Sequence, residues 1–178
     1  MVGFVPAVGL SPDAKGGTMV LLLKNLLFTV FVPGTVAGFV PWLISRDESL
    51  AWGAGAALAL LLFATGGAIY FWCVWDFATF GGGTPAPIDA PKSLVVRGLY
   101  RYSRNPMYVG VLTTLLGWVV LFASLRLLVY SACVGVCFKL FIVYYEEPHL
   151  SKTFGRSYDE YRSQVGRWIP GIGRRSSA

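Results

Sequence analysis

MYVGVLTTLLGWVVLFASLRLLVYSACVGVCFKLFIVYY, residues 107–145, is a run of 39 residues broken by only two charges, Arg126 and Lys139. As one helix it would reach roughly 60 Å, about twice the thickness of a bilayer's hydrocarbon core. Ser124-Leu125-Arg126 near its middle supplies a polar turn, so the run predicts a tight helical hairpin, out over 107–124 and back over 126–146. Lys139 then lies inside the return helix, either snorkelling towards headgroups or facing the bundle interior as a functional residue.

Upstream the pattern repeats. Leu26 to Ile44 holds 19 residues without a charge, with Pro33-Gly34 predicting a kink, and Arg46, Asp47 and Glu48 form a polar turn. Leu50 to Trp75 adds 26 more, carrying the small residues Gly53, Ala57, Gly66 and Gly67 that let helices approach in lipid. Tyr70, Trp72 and Trp75 are expected to form an interfacial aromatic belt, with Asp76 at the exit into water. The expected fold is therefore all-α, a single integral membrane domain over 1–178. Its parts are a flexible tail (1–18), two spans (19–76), a loop (77–106), the hairpin (107–146) and an amphipathic segment (147–170).

Composition agrees. Of 178 residues, 55% are hydrophobic and 13% charged, too few charges to coat a soluble globule. The net charge of +6 comes from basic residues beside apolar runs, which favours anionic lipid over nucleic acid as partner. Nothing indicates an obligate protein partner. Cys73, Cys133 and Cys137 sit inside apolar runs and His149 is the one histidine, so no metal site and no disulfide framework are expected. Residues 1–18 lack the basic start and compact apolar stretch of a secretory signal. The four-span topology places twelve of fifteen basic residues on one side with both termini and the 77–106 loop, which predicts that this side is cytoplasmic.

Between the second span and the hairpin, Phe80 to Ser93 carries three glycines and three prolines and reads as a connecting loop. After the hairpin, Leu150, Phe154, Tyr158, Tyr161 and Val165 recur at helical spacing, predicting an amphipathic helix along the membrane surface or folded over the bundle. Two polar clusters flank the hairpin. One is Leu94 to Gly110, LVVRGLYRYSRNPMYVG; the other is Glu146-Glu147. Antiparallel geometry brings Arg104 and Asn105 near the two carboxylates. The simplest account is a salt-bridged helix end with Arg101 and Arg104; the other is a functional site.

Gly98-Leu99-Tyr100, followed by Arg104-Asn105-Pro106-Met107-Tyr108-Val109-Gly110, resembles the Gly-x-Tyr…Arg-His-Pro-x-Tyr-x-Gly motif of isoprenylcysteine carboxyl methyltransferases, and phospholipid methyltransferases carry a related pattern. Glu146-Glu147, Leu150, Phe154-Gly155, Tyr158, Tyr161, Val165 and Pro170 resemble the C-terminal signature of the same superfamily. The resemblance spans about Lys92 to Pro170. It implies S-adenosylmethionine bound at the cytoplasmic membrane face and a lipophilic acceptor entering from the bilayer. By position, Lys92, Ser93, Leu94, Val95, Tyr100, Asn105, Pro106, Met107, Tyr108 and Glu146 would bind the cofactor, and Arg104, Asn105 and Glu147 would stand at the reacting centre. Glu146 can accept hydrogen bonds from ribose hydroxyls or the cofactor's amino group, the backbone of 93–95 can read adenine, and Tyr100 and Tyr108 offer faces to adenine or the sulfonium. Arg104 could steady the methionine carboxylate or Glu147. A sulfonium is already an activated donor, so the protein mainly aligns the reactants and no single base is compelled.

Two positions depart from the pattern. Asn105 stands where the family has His, keeping donor and acceptor but not titrating. Ile142 stands where the isoprenylcysteine enzymes are expected to have an Arg for the substrate carboxylate. An acceptor other than a prenylcysteine, such as an amine-bearing lipid, is therefore expected. A membrane reductase of the sterol-reductase type using NADPH, and a non-catalytic membrane module of the same fold, are the alternative readings.

Overall fold

A computed structural model describes residues 27, 31–81 and 94–168, which contain helices and turns and no strand. The expected 1–18 tail, Lys92, Ser93 and Pro170 lie outside the described residues. The helices are α1 (Thr35–Ile44), α2 (Ala54–Asp76), α3 (Pro106–Phe122), α4 (Leu125–Phe154) and α5 (Arg156–Gln164).

Two of them, α2 with 23 residues and α4 with 30, are long and apolar enough to cross a membrane, while α1 and α3 are shorter apolar helices. In both long helices only 22% of the most apolar window is buried inside the protein. Their outward faces carry Leu60, Leu61, Phe71, Trp72, Trp75, Val129 and Val136, all exposed. A soluble protein of this size does not leave so much apolar surface open, whereas a bilayer covers it.

With apolar surface equally content in lipid, close contact between these helices depends on shape. Gly66 of α2 and Gly110 of α3 provide it. A Cβ built on Gly66 would stand 2.7 Å from the Gly110 carbonyl oxygen, and one on Gly110 would stand 2.9 Å from that of Gly66. Gly117 receives the Phe63 ring in the same way, with ring atoms 2.8 and 2.9 Å from its missing Cβ. Tyr70, Val111 and Leu115 form the buried core beside this seam. Tyr70 therefore belongs to the core and not to the expected aromatic belt; only Trp72 and Trp75 of that trio face outward. Its place on the face that meets Val111 outweighs the preference of tyrosine for an interface.

Directly after Pro33-Gly34, where a kink is expected, the chain winds into a wide π-helical turn, Thr35–Phe39, with Gly34 itself helical. Two carbonyls near this turn are met from other helices: Trp118 Nε1 donates to Ala37 O (2.8 Å) and the Tyr130 hydroxyl donates to Val36 O (2.9 Å). These bonds hold α1 against the hairpin by satisfying backbone groups that lipid could not.

The hairpin forms as expected, with its turn one residue earlier. Ala123 adopts φ 47° and Ser124 caps α4, accepting from Leu127 N. The Ser124 hydroxyl also donates to Glu48 Oε1 (2.7 Å), and Arg126 reaches the same oxygen through Nε (2.8 Å) and Nη2 (2.7 Å). The polar turn after α1 is thus tied to the hairpin tip. Lys139 is exposed on the outer face of α4, which settles its two alternatives in favour of the outside, and Cys133 and Cys137 are exposed as well.

The C-terminal stripe is split. One helix was expected over 150–165, but Gly155 at φ 51° ends α4 and starts α5. Glycine has no Cβ to oppose that conformation, so the chain can turn here. The stripe itself survives: Tyr158, Tyr161 and Val165 form one cluster, with Leu150, Phe154 and Leu94 against it. The segment folds over the end of the bundle.

The Ser124 hydroxyl, against the opposing effect of burial and with the help of Arg126, holds the Glu48 carboxyl below its ordinary value of 4.5. A carboxyl whose folded value is depressed stabilises above its unfolded value and loses that contribution as pH falls through the folded one. Glu48→Gln should therefore melt at lower temperature than wild type in detergent at pH 7, and the gap should close as pH drops below 4.5. A gap that is constant with pH would show that the Glu48 charge is not what ties the turn to the hairpin.

Candidate active site

At the opposite end of the hairpin the chain enters α3 through a compact loop. Gly98 at φ 53° opens a 3₁₀ turn, Gly98–Arg101, and packs directly on the Asp76 carboxylate, where a Cβ would collide. The turn drives Tyr100 inward beside Cys73 and Val95, edge-on to Phe77 at 5.4 Å. Burial, then the neighbouring Cys73, raises the Tyr100 phenol well above its ordinary value, so it stays a neutral donor. The Tyr161 hydroxyl donates to the Tyr100 carbonyl (2.7 Å), fastening α5 to this turn.

Next, residues 103–105 lie along the segment after α5. Arg104 N donates to Gly166 O (3.0 Å), while the Ser103 hydroxyl and Asn105 Nδ2 both donate to Arg167 O (3.1 Å each). Pro106 begins α3, where its missing N–H costs nothing.

From the other helix come the carboxylates. A further π turn, Ile142–Glu146, widens α4 just before Glu147, as another, Phe77–Gly81, continues α2 into the expected 77–106 loop. The two neighbours face different partners. Glu146 Oε2 accepts from the Tyr108 hydroxyl (2.7 Å), whose ring packs on Phe138. Glu147 is buried and meets two guanidiniums. Arg104 Nη1 lies 3.0 Å from its Oε1; Arg167 grips it as a fork, Nε to Oε1 at 2.8 Å and Nη2 to Oε2 at 2.9 Å. Arg104 Nη1 also donates to the Tyr158 hydroxyl (3.4 Å), while its Nε is buried with no partner.

A small polar cavity of about 50 Å³ opens among these groups, lined by Phe77, Tyr100, Arg104, Asn105, Met107, Tyr108 and Glu146. Met107 and Tyr108 also wall an apolar cavity of about 80 Å³ with Val36, Tyr70 and Phe138. That one in turn shares Pro33, Tyr70 and Val111 with a groove of about 250 Å³ alongside α1. Each is bordered by a π turn, and such turns recur where a helix is reshaped around a site.

Six of the residues picked from sequence, Tyr100, Arg104, Asn105, Met107, Tyr108 and Glu146, therefore share one pocket. Others stand behind it. Val95 packs on Cys73 and Tyr100, Leu94 joins the α5 cluster, Pro106 is buried at the helix start, and Glu147 turns to its two arginines. The ion pair expected with Arg101 is made by Arg167, and Arg101 is exposed on the turn. Phe77 and Arg167 were not anticipated. Phe77 sits one residue past Asp76, in an apparent loop; Arg167 is one of several arginines in a basic tail, with no pattern to single it out.

Two apolar helices long enough to cross a membrane, their outward faces exposed, mark a membrane protein, and its polar pocket lies at one end of a helical hairpin. The chain belongs to the phospholipid methyltransferase family, which matches residues 54–157. It is 34% identical over 86 residues to a methanethiol S-methyltransferase of Crocosphaera subtropica (48% of this chain, 32% of that protein). It is 38% identical over 80 residues to a protein-S-isoprenylcysteine O-methyltransferase of Tribolium castaneum (44% and 28%). A Schizosaccharomyces pombe protein of the same name is 37% identical over 78 residues (43% and 33%). The matched stretch spans about a third of each relative's length.

Arg167→Met should release the segment after α5. Arg104 still opposes Glu147, and the Arg167 side chain is 32% exposed, so the expected loss is about 1–2 kcal/mol, below that for breaking a fully buried pair. Hydrogen exchange at the Arg104 amide, which donates to Gly166, should accelerate by roughly tenfold, following the same loss. Unchanged exchange would mean that the main-chain contacts hold the segment unaided.

Proposed function

We propose that this protein is an S-adenosylmethionine-dependent methyltransferase whose acceptor is a lipophilic molecule drawn from the bilayer, and that the pocket faces the cytoplasm. One observation carries the reading: five of the ten residues that the family resemblance selects for cofactor binding, Tyr100, Asn105, Met107, Tyr108 and Glu146, line a single polar pocket that adjoins an apolar path.

The donor set suits such a cofactor. Glu146 offers carboxylate oxygen to hydroxyl or ammonium groups, Tyr100 and Phe77 offer aromatic faces, and Asn105 and Arg104 offer polar N–H groups. The cavity, about 50 Å³, holds a water or two and not a nucleoside, which needs a pocket of at least roughly 300 Å³. Admission of the cofactor thus requires the walls to part, and we infer that they part at the hydrogen-bonded contact of residues 103–105 with 166–167. When bound, the cofactor supplies an activated methyl group. The chain's residues hold it and keep water away, and Met107 and Tyr108 stand where the polar and apolar cavities meet.

The relatives' names span thiol and carboxylate acceptors, and the family's name points to phospholipid. Ile142 is fully buried (0% exposed) where a prenylcysteine carboxylate would need a cation, and Lys139 points outward on the far side. An amine-bearing lipid fits this chain better. The cytoplasmic placement is supported by the basic residues gathered at the pocket end, including Arg97, Arg101, Lys152 and Arg156.

Calorimetry of the purified protein with S-adenosylhomocysteine and with NADPH tests the reading. The homocysteine compound should bind and NADPH should not. Glu146→Ala should weaken the former by roughly thirtyfold or more, through loss of a charge-assisted contact. Binding of NADPH alone would move the protein to the reductase class, and binding of neither would leave a non-catalytic membrane module.

A further inference from the structure

The loop that enters α3 sorts its cations by side. Residues 94–145 contain no acid, and the loop itself carries Arg97, Arg101 and Arg104. Arg104 turns inward to Glu147, and its side chain is 10% exposed. Arg101 is exposed and Arg97 half-buried, and among the described residues neither has an ion-pair partner. Asp76, the acid that packs on this turn, is buried beneath Gly98.

Aromatic groups frame the outward side. The Arg97 guanidinium lies over the Phe80 ring, 3.5 Å from its centroid. A guanidinium that gives one face to a ring still has N–H donors at its edge. Gly98, the next residue, packs against Trp72: a Cβ there would stand 3.0 Å from the indole Nε1. Among the described residues that Nε1 has no acceptor, and Trp72, Trp75, Val96 and Tyr102 are all exposed. An indole with its body in lipid and its N–H towards the headgroups is a boundary group. The outer side of the turn thus offers two cations, an indole donor and apolar rings, with no carboxylate exposed beside them among the described residues. A zwitterionic headgroup would bring an ammonium that finds no partner here, whereas a headgroup of net negative charge is matched.

We propose that the outer side of the Gly98–Arg101 turn is a binding site for an anionic phospholipid. Arg97 and the Trp72 N–H take its phosphate, Arg101 adds attraction from the same turn, and an acyl chain runs along Trp75 and the outer face of α2. The inner side of that turn carries Tyr100 into the polar pocket, so lipid bound outside seats the pocket at headgroup level. This lipid is distinct from the methyl acceptor. Its site needs a membrane protein and not the methyltransferase reading.

The test is calorimetry on the full-length protein in detergent with three ligands: dioctanoylphosphatidylglycerol, dioctanoylphosphatidylcholine and glycerol 3-phosphate. Wild type should bind the phosphatidylglycerol roughly fivefold or more tighter than the phosphatidylcholine. Arg97→Gln and Arg101→Gln should each weaken phosphatidylglycerol by roughly fivefold, the worth of one basic residue at an anionic surface. Trp72→Phe, which keeps a ring but not the N–H, should weaken it by a similar factor. Lys152→Gln removes an exposed cation of α4 at the same end and should leave the affinity unchanged. Equal affinities for the two lipids in wild type would overturn the site. So would an equal fall in Lys152→Gln, which would show that the basic character of this end acts as a whole. Glycerol 3-phosphate binding as tightly as phosphatidylglycerol would reveal a site for free phosphate and overturn the lipid assignment. Should the loop variants not fold, the comparison of the three ligands in wild type decides by itself. None of these outcomes bears on S-adenosylhomocysteine binding, so failure here leaves the methyltransferase reading standing.

Discussion

Glu147 is a buried carboxylate at the end of a membrane helix, and a charge in that position is tolerated only when it is paired and hydrogen-bonded. Its two partners come from distant parts of the chain, Arg104 from the loop entering α3 and Arg167 from the segment after α5. Pairing this one carboxylate therefore joins three stretches of chain at one point. The main-chain contact of Arg104 with Gly166 and the double acceptance by the Arg167 carbonyl follow from the same alignment. So does the pocket, because the loop that carries Arg104 and Asn105 is held over Glu146 and Tyr108 by those bonds.

The rest of the bundle gives that junction a rigid base. Backbone contact at Gly66 and Gly110 draws α2 and α3 together, and the Glu48–Ser124–Arg126 cluster fixes the far end of the hairpin. Polar interactions thus sit at both ends of the bundle, with apolar packing between. The π turns at Thr35–Phe39 and Ile142–Glu146 interrupt regular helix beside the cavities, where an evenly wound helix would present its side chains differently.

Much of this was legible in sequence because it depends on local pattern. The hairpin follows from 39 nearly uncharged residues with a polar turn in the middle, and the C-terminal stripe follows from spacing. Six residues of the pocket followed from the paired motifs. What escaped depends on three-dimensional accommodation. Gly155 breaks a stripe that periodicity alone would continue. Tyr70 faces the core because Val111 opposes it, which no window of α2 reveals. Arg167 pairs with Glu147 across 20 residues, and among many arginines only the fold selects it.

The relatives are named for different acceptors, and on the proposed reading the polar pocket would carry the shared chemistry and the apolar path the difference. Ile142 and Asn105 mark where this chain departs, one withdrawing a cation and the other a titrating group. The central claim is that a methyl group passes from the polar pocket to a molecule in the bilayer. It is tested most directly by reconstituting the purified protein in vesicles of phosphatidylethanolamine and phosphatidylglycerol with S-adenosylmethionine labelled on its methyl group. The label should enter the organic-extractable fraction with wild type and not with Glu146→Ala; label that stays wholly in the aqueous phase, or that transfers equally with both proteins, would contradict the account.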